Sequence, residues 1–292
     1  MKKKRYALLF FGFLTGFFIL MYPSFADAWN RHRNKLLAAE YEETVSEIQS
    51  DEIERIAGEA REYNRQHTVN EVQDIFENSE DYTLSHPYDS LLNPNGDEVM
   101  GSIEIPKINI ELAIYHGTGA EALSKGVGHI QGTSIPVGGV NTHAVLAAHR
   151  GLANAKLFTD LDRMETGDIF FLHILGDTLA YQVDQINVVS PDDLTLIQIE
   201  PGRDLCTLLT CTPYGVNTHR LLVRGSRVPY RPEAVSEESG KYEVTLQQDD
   251  PVRFAAAGLT AALIIVVVMR MMTIRKKRHN HNKGRSLDEE DK

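Results

Sequence analysis

Two stretches without a single charge bound what this chain can be. Tyr6 to Ala26 reads LLFFGFLTGFFILM at its heart, and Phe254 to Met269 reads FAAAGLTAALIIVVVM. A helix needs about 20 mostly apolar residues to cross a bilayer core. The first stretch meets that length. The second meets it when Arg270 snorkels to the surface and Met271 to Ile274 are counted with it. Lys2, Lys3, Lys4 and Arg5 precede the first, and Arg270, Arg275, Lys276, Lys277 and Arg278 follow the second. Basic clusters favour the cytoplasm. Both termini are therefore expected inside, with Asp27 to Arg253 outside and the lipid bilayer as a partner. A basic start, an apolar run and small residues at Ala26 and Ala28 also describe a secretory signal, and either reading exports the middle of the chain.

The net charge of −11 leaves no general basic field for phosphates, so no nucleic-acid partner is expected. The basic residues are concentrated at the two ends. No His or Cys pairs stand at metal-ligand spacing and no phosphate loop is present, so neither a metal nor a cofactor is expected.

Between the apolar stretches the character changes in steps. Residues 27–77 carry Leu36, Leu37, Tyr41, Val45, Ile48, Ile53 and Ile56 at helical spacing, which predicts two exported helices with a break before Val69. Residues 78–98 are rich in turn formers and read as a long loop. From Val99 to Tyr230 the period becomes that of strands. Strands are expected over Ser102–Pro106, Ile108–Tyr115, Thr142–His149, Asp168–Ile174, Ala180–Val189, Leu205–Thr210 and Leu221–Arg224. Short helices are expected at Glu121–Lys125 and Ala155–Leu161. Seven or eight short strands make a mostly β domain, either a closed barrel or a sandwich. Residues 231–253 form a polar linker to a second membrane helix over 254–274, and residues 275–292 a charged tail.

The only cysteines are Cys206 and Cys211. Five residues of strand separate their Cα atoms by roughly 16 Å, whereas a disulfide needs about 4.4–6.8 Å. The odd spacing also sends the side chains to opposite faces. At least one thiol is then available for chemistry. Cys211 is followed by Thr-Pro-Tyr-Gly-Val-Asn-Thr-His-Arg, whose Pro213 and Gly215 imply a turn that brings Arg220 back beside the cysteine. His149 ends another apolar strand next to Gly151. A thiolate attacking an amide carbonyl creates an oxyanion, which a guanidinium can stabilise. The leaving amine needs a proton, which an imidazole can supply. Taken alone, Cys211 reads as a small buried hydrophobe, His149 as a structural histidine and Arg220 as an ion-pair partner.

The run Thr207-Leu-Leu-Thr-Cys-Thr-Pro-Tyr-Gly-Val-Asn-Thr-His-Arg-Leu-Leu-Val-Arg-Gly225 resembles the signature of class C, pilin-polymerising sortases, and Ala147-Ala-His-Arg-Gly151 resembles the segment that bears that family's catalytic histidine. The resemblance covers roughly Tyr82 to Tyr230. It implies an eight-stranded sortase β-barrel with short helices, N-terminal helices and two flanking transmembrane helices. It also implies catalytic roles for Cys211, His149 and Arg220. The implied reaction is cleavage of an LPxTG-like sorting signal and transfer of the acyl group to a pilin lysine. The alternatives are a housekeeping or accessory sortase using a cell-wall precursor, and a non-catalytic pilus-assembly protein. The family often carries a lid with an Asp-Pro-aromatic anchor. Here the corresponding stretch is His86-Pro87-Tyr88-Asp89, with His86 where the acid is expected, and Tyr88 is expected to pack over Cys211.

Overall fold

The structure, a computed structural model, describes residues 2–66, 88–152 and 154–231. The chain separates into a unit over Met1–Val244 and a second over Thr245–Lys292. The second unit, with the second apolar stretch and the tail, lies outside the described residues, as do most of the linker and the lid residues His86 and Pro87.

Helix α1, Lys2–Glu47, continues from the apolar stretch into the polar region with no break at Asp27. From there one face turns inward: Asn34, Ala38, Tyr41 and Val45 are buried, at helical spacing. Asn34 donates to the Lys125 carbonyl at 3.1 Å and accepts from the Ala113 N–H at 3.2 Å. The Tyr41 hydroxyl donates to Met100 O at 3.0 Å and accepts from Leu175 N–H at 3.1 Å. Helix α2, Ser50–Gln66, buries Ile56, Ala57, Ala60, Tyr63 and Asn64 on one face. The described residues have a break after Glu47, and the first exported helix is an extension of the apolar one; the expected break before Val69 lies outside the described residues.

Eight strands follow: β1 Val99–Ile105, β2 Ile110–His116, β3 Val127–His129, β4 Thr142–Ala147, β5 Ile169–Ile174, β6 Asp177–Val189, β7 Asp204–Thr212 and β8 His219–Val228. A short helix α3, Ala120–Lys125, stands near its expected place. The strands close into a barrel in the order β1-β2-β3-β4-β7-β8-β6-β5. Strands β2 and β3 pair in parallel, as do β4 and β7, and the remaining neighbours are antiparallel. Closure settles the choice between barrel and sandwich and removes the exposed sheet edges. Strand β3 was not anticipated, since three residues carry too little alternation. In place of the expected α-helix over 155–161, residues 157–160 form a turn, with Leu157 at φ 40°, and Leu161 opens a short 3-10 helix, Leu161–Arg163.

Alternation divides the barrel wall. Ala144, Leu146, Cys206, Leu208, Leu221 and Val223 belong to the principal core. Val145, Ala147, Leu209 and Leu222 face outward into a second apolar cluster with Ile130 and Ile197. Gly225 lies where a Cβ would come within 2.7 Å of the Phe170 ring, so the end of β8 needs a residue without one.

Tyr88 is 1% exposed and belongs to the principal core. His129 Nε2 contacts the Ser134 carbonyl at 2.9 Å and therefore donates to it. Its Nδ1 is then the acceptor for the Tyr88 hydroxyl at 2.8 Å, which also accepts from the Gly117 N–H at 3.0 Å. Burial pushes the His129 imidazole down to about 4. The folded state binds fewer protons than the unfolded state between that value and the ordinary 6.5. Stability is then full above about pH 6.5 and falls as the pH drops through 4, by about 3 kcal/mol. Denaturant titrations at pH 7 and pH 4.5 check this. The native chain is expected to lose more stability on acidification than His129→Gln. Equal losses overturn the assignment.

Candidate active site

Parallel pairing of β4 with β7 brings their C-terminal ends to the same rim of the barrel. The last register pair is Ala147 with Leu209, and Ala148 N–H donates to Leu209 O at 3.2 Å. Carried two residues beyond that last pair, the register would bring position 149 level with position 211, although β4 itself ends at Ala147. Thr210 Oγ1 donates to Ala148 O at 2.7 Å and fastens the two chain ends there. On the other side of β7, Cys211 pairs directly with Arg220 of β8. Cys211 thus stands on the middle strand, with the histidine strand on one flank and the arginine strand on the other. Odd residues of β7 share the outer face with Leu209, so Cys211 points away from the barrel interior. The opposed parity places Cys206 inside.

Cys211 is 7% exposed and Arg220 4%. Arg220 Nη1 donates to the carbonyls of Asn217 at 3.1 Å and His219 at 3.2 Å, which sets the plane of the guanidinium. Asn217 takes the left-handed conformation, φ 61°, that turns its carbonyl to this task. Burial holds the His149 imidazole below its ordinary value, so the neutral ring prevails at neutral pH. The Cys206 thiol is 0% exposed, and burial pushes its pKa well up, which leaves it a core hydrophobe.

Arg150 was not singled out from sequence. Its Nε donates to Thr159 O at 3.1 Å and its Nη1 to Thr212 Oγ1 at 3.1 Å, while Nη2 bonds Asp162. The guanidinium lies 5.9 Å from the Tyr214 ring centroid. One buried cation therefore joins the residue after His149 to the residue after Cys211. Gly151 completes the turn at φ 82°, where a Cβ would be 3.1 Å from the Tyr214 ring. The adjacency of His149, Arg150 and Gly151 was the available signal.

The outer face beside the thiol is apolar: Val145, Ala147, Leu209 and Leu222, roofed by Leu194, Leu196, Ile197 and Ile199 from the β6–β7 connection. A charged cluster pins that connection. Arg224 bonds Asp184 at 2.9 Å and Glu200 at 2.6 Å, and Arg203 bonds Glu200 at 2.6 Å and also Asp184 and Ser226. Burial opposes ionisation of Asp184, but the bonds from Arg224, Ser226 and Arg203 prevail and hold its carboxyl low. His143, on the same outer face as His149, is taken up structurally. Its Nδ1 donates to Gln198 O at 2.8 Å and its Nε2 accepts from Thr207 Oγ1 at 2.7 Å.

The lid expectation is corrected at Tyr88. Its ring stacks on His129 at 5.8 Å and meets His116 edge-on at 5.2 Å. It is an anchor in the principal core, whereas Cys211 projects on the opposite face of the barrel wall. Asp89 follows it in a short 3-10 turn, Tyr88–Ser90. Among the described residues no group of His, Cys, Asp and Glu is arranged to hold a metal ion.

A thiol paired across the ladder with a buried guanidinium, on a strand whose other neighbour leads to a histidine two residues past its end, has the groups that acyl transfer through cysteine needs. A sortase-domain family model matches residues 103–228. Sortase D of Bacillus subtilis is 33% identical over 138 residues, which cover 46% of this chain and 67% of that protein. A solved sortase C of Streptococcus pneumoniae is similar with a TM-score of 0.61 and 45% identity, over 66% of this chain and 97% of that one. A pilus-related sortase C of group B Streptococcus is similar with a TM-score of 0.62 and 41% identity, over 66% and 97%. The chain belongs to the sortase family, whose members are cysteine transpeptidases.

Proposed function

We propose that this sortase is of class C and polymerises pilins through Cys211, His149 and Arg220. The observation that carries the reading is the placement of Cys211 on β7 between the His149 and Arg220 strands. The solved relatives support the substrate: one is described as pilus-related, another in connection with pilin specificity. The apolar cluster on the outer face of β4, β7 and β8 offers a surface of the right chemistry for the Leu-Pro part of an LPxTG-like signal. Cys211 Sγ attacks the threonine carbonyl carbon, and neutral His149 takes the thiol proton. Arg220 faces the oxyanion of the tetrahedral intermediate. The C–N bond to glycine breaks, and the proton on His149 passes to the departing amine. A pilin lysine amine then attacks the thioester and gives up a proton to His149. The thiolate leaves and is reprotonated, and an isopeptide bond remains.

The length of the apolar helix over Tyr6–Ala26 supports an anchor, and the basic clusters at the two ends support a barrel outside with both termini inside. Intact protoplasts supplied with pilin from outside are expected to yield covalent multimers, with the Thr–Lys bond visible by mass spectrometry. Pilin that emerges only cleaved, or attached to a cell-wall precursor, overturns the polymerase reading in favour of an anchoring sortase.

Arg150 acts in this scheme as a positioning residue. A small misplacement of reacting groups is costly, so Arg150→Gln is expected to lower kcat by about 10–100-fold with KM changed little. The pH profile of Cys211 alkylation should shift with it, and Arg150→Lys should restore part of the rate. An unchanged kcat and alkylation profile in a folded Arg150→Gln protein shows the clamp to be structural only.

A further inference from the structure

The anchor helix runs without a break into the part that packs on the barrel, and a contact with the barrel already lies where the apolar stretch ends. Tyr6 to Ala26, at 1.5 Å per residue, measures about 31 Å, close to the ~30 Å of a bilayer core. The next residue, Asp27, already touches the barrel: its Oδ1 accepts from the Lys156 N–H at 2.8 Å. One turn on, Asn30 Nδ2 donates to Asn154 O at 2.6 Å, and Asn34 follows with its two bonds. No free tether therefore separates the end of the apolar stretch from the catalytic domain. The connection that the helix grips, residues 154–156, lies five to seven residues after His149.

The other side of the helix is bare at the same level. Tyr22, Phe25 and Trp29 share a face, roughly 140° around the axis from Asp27, Asn30 and Asn34. They are 60%, 68% and 71% exposed. Aromatic rings with a polar edge collect where acyl chains meet headgroups. Arg33 stands exposed one turn beyond Trp29, a cation of the kind that attracts anionic headgroups.

We propose that Tyr22, Phe25 and Trp29 lie in the lipid headgroup boundary, so that the helix–barrel junction at Asp27 and Asn30 holds the catalytic rim at a fixed height on the bilayer surface. The proposal rests on Tyr6–Ala26 being an uncleaved span. It goes beyond the functional reading by setting the height of the catalytic rim above the bilayer, and rests on that reading only for the peptide used in the test.

Trp29 is the sole tryptophan, so the fluorescence of the full chain in vesicles reports this boundary alone. Vesicles are prepared with a quencher either near the headgroup or deep in the acyl chain. Stronger quenching by the shallow probe is expected, with little quenching by aqueous iodide. A flexible Gly-Ser insertion of about ten residues between Ala26 and Asp27 frees the height without touching the junction. The inserted chain should cleave a free sorting-signal peptide at the native rate but lose about tenfold on the same peptide anchored in the vesicle. Equal rates on the anchored peptide overturn the proposal. So does a Trp29 open to iodide in a chain that stays in the membrane with its full mass, or a Trp29 that neither vesicle quencher reaches because a second copy, seen by cross-linking, covers the aromatic face. A mature chain shortened near Ala26 sinks the span reading itself, and the proposal with it.

Discussion

Cys211→Ala is expected to abolish acyl-enzyme formation, while Cys206→Ala leaves sorting-signal cleavage within about twofold. The two thiols differ in everything that matters for nucleophilic attack. Cys211 stands near the end of β7 on its outer face, paired with Arg220, and β4 beside it ends two residues before His149. Cys206 points into the principal core, where burial pushes its thiol pKa well up. A thiol held protonated in an apolar interior neither attacks nor leaves. No other residue in the cluster can replace the covalent bond, so the loss at Cys211 is total rather than partial. The cost at Cys206 is one of packing, read as a modest fall in melting temperature. Intact mass after incubation with an LPxTG-type peptide distinguishes the two. A persistent adduct in Cys211→Ala, or its disappearance in Cys206→Ala, reverses the assignment and the mechanism with it.

The reasons for this contrast were partly legible in the chain. A hairpin is local: Pro213 and Gly215 fix the turn, and the turn fixes which residue faces Cys211. The parity argument for Cys206 and Cys211 needs only strand periodicity, and it holds in the barrel. His149 is a different case, because its strand was expected to run to residue 149 and stops at Ala147. What brings the chain just before it to the same rim as the end of β7 is parallel pairing between strands with β5 and β6 between them in sequence, which no local pattern encodes. The same limit hid the Arg150 clamp, whose partners Asp162, Thr212 and Tyr214 meet only after closure. It also hid the roof over the groove, held by Asp184, Glu200, Arg203 and Arg224 from separate elements. Tyr88 was misread for a related reason. A proline next to an aromatic ring suggested a plug, but burial beside His116 and His129 depends on where β2 and β3 end. The continuity of α1 across Asp27 escaped notice because composition changes there while helix propensity does not.

Arg220→Lys is expected to keep the fold and lose about 10²–10³ in kcat, the range for loss of one oxyanion donor. The charge survives this substitution, so a simple electrostatic role would survive with it. The geometry would not. In the native site the carbonyls of Asn217 and His219 both bind Nη1 and orient a planar fork across the β7–β8 ladder from Cys211. An ammonium on a flexible stem can satisfy those carbonyls or approach the reacting carbonyl, but it has no second planar donor set by the first. The oxyanion exists only once Sγ has added to the substrate, so the loss should fall on the acylation rate and leave KM little changed. Single-turnover acylation with a sorting-signal peptide, alongside a melting curve, isolates that step. A lysine variant that acylates at the native rate shows Arg220 to act as a point charge. One that melts far below the native protein shows it to act through the hairpin. Either outcome removes Arg220 from the oxyanion and leaves Cys211 and His149 to account for the chemistry by themselves.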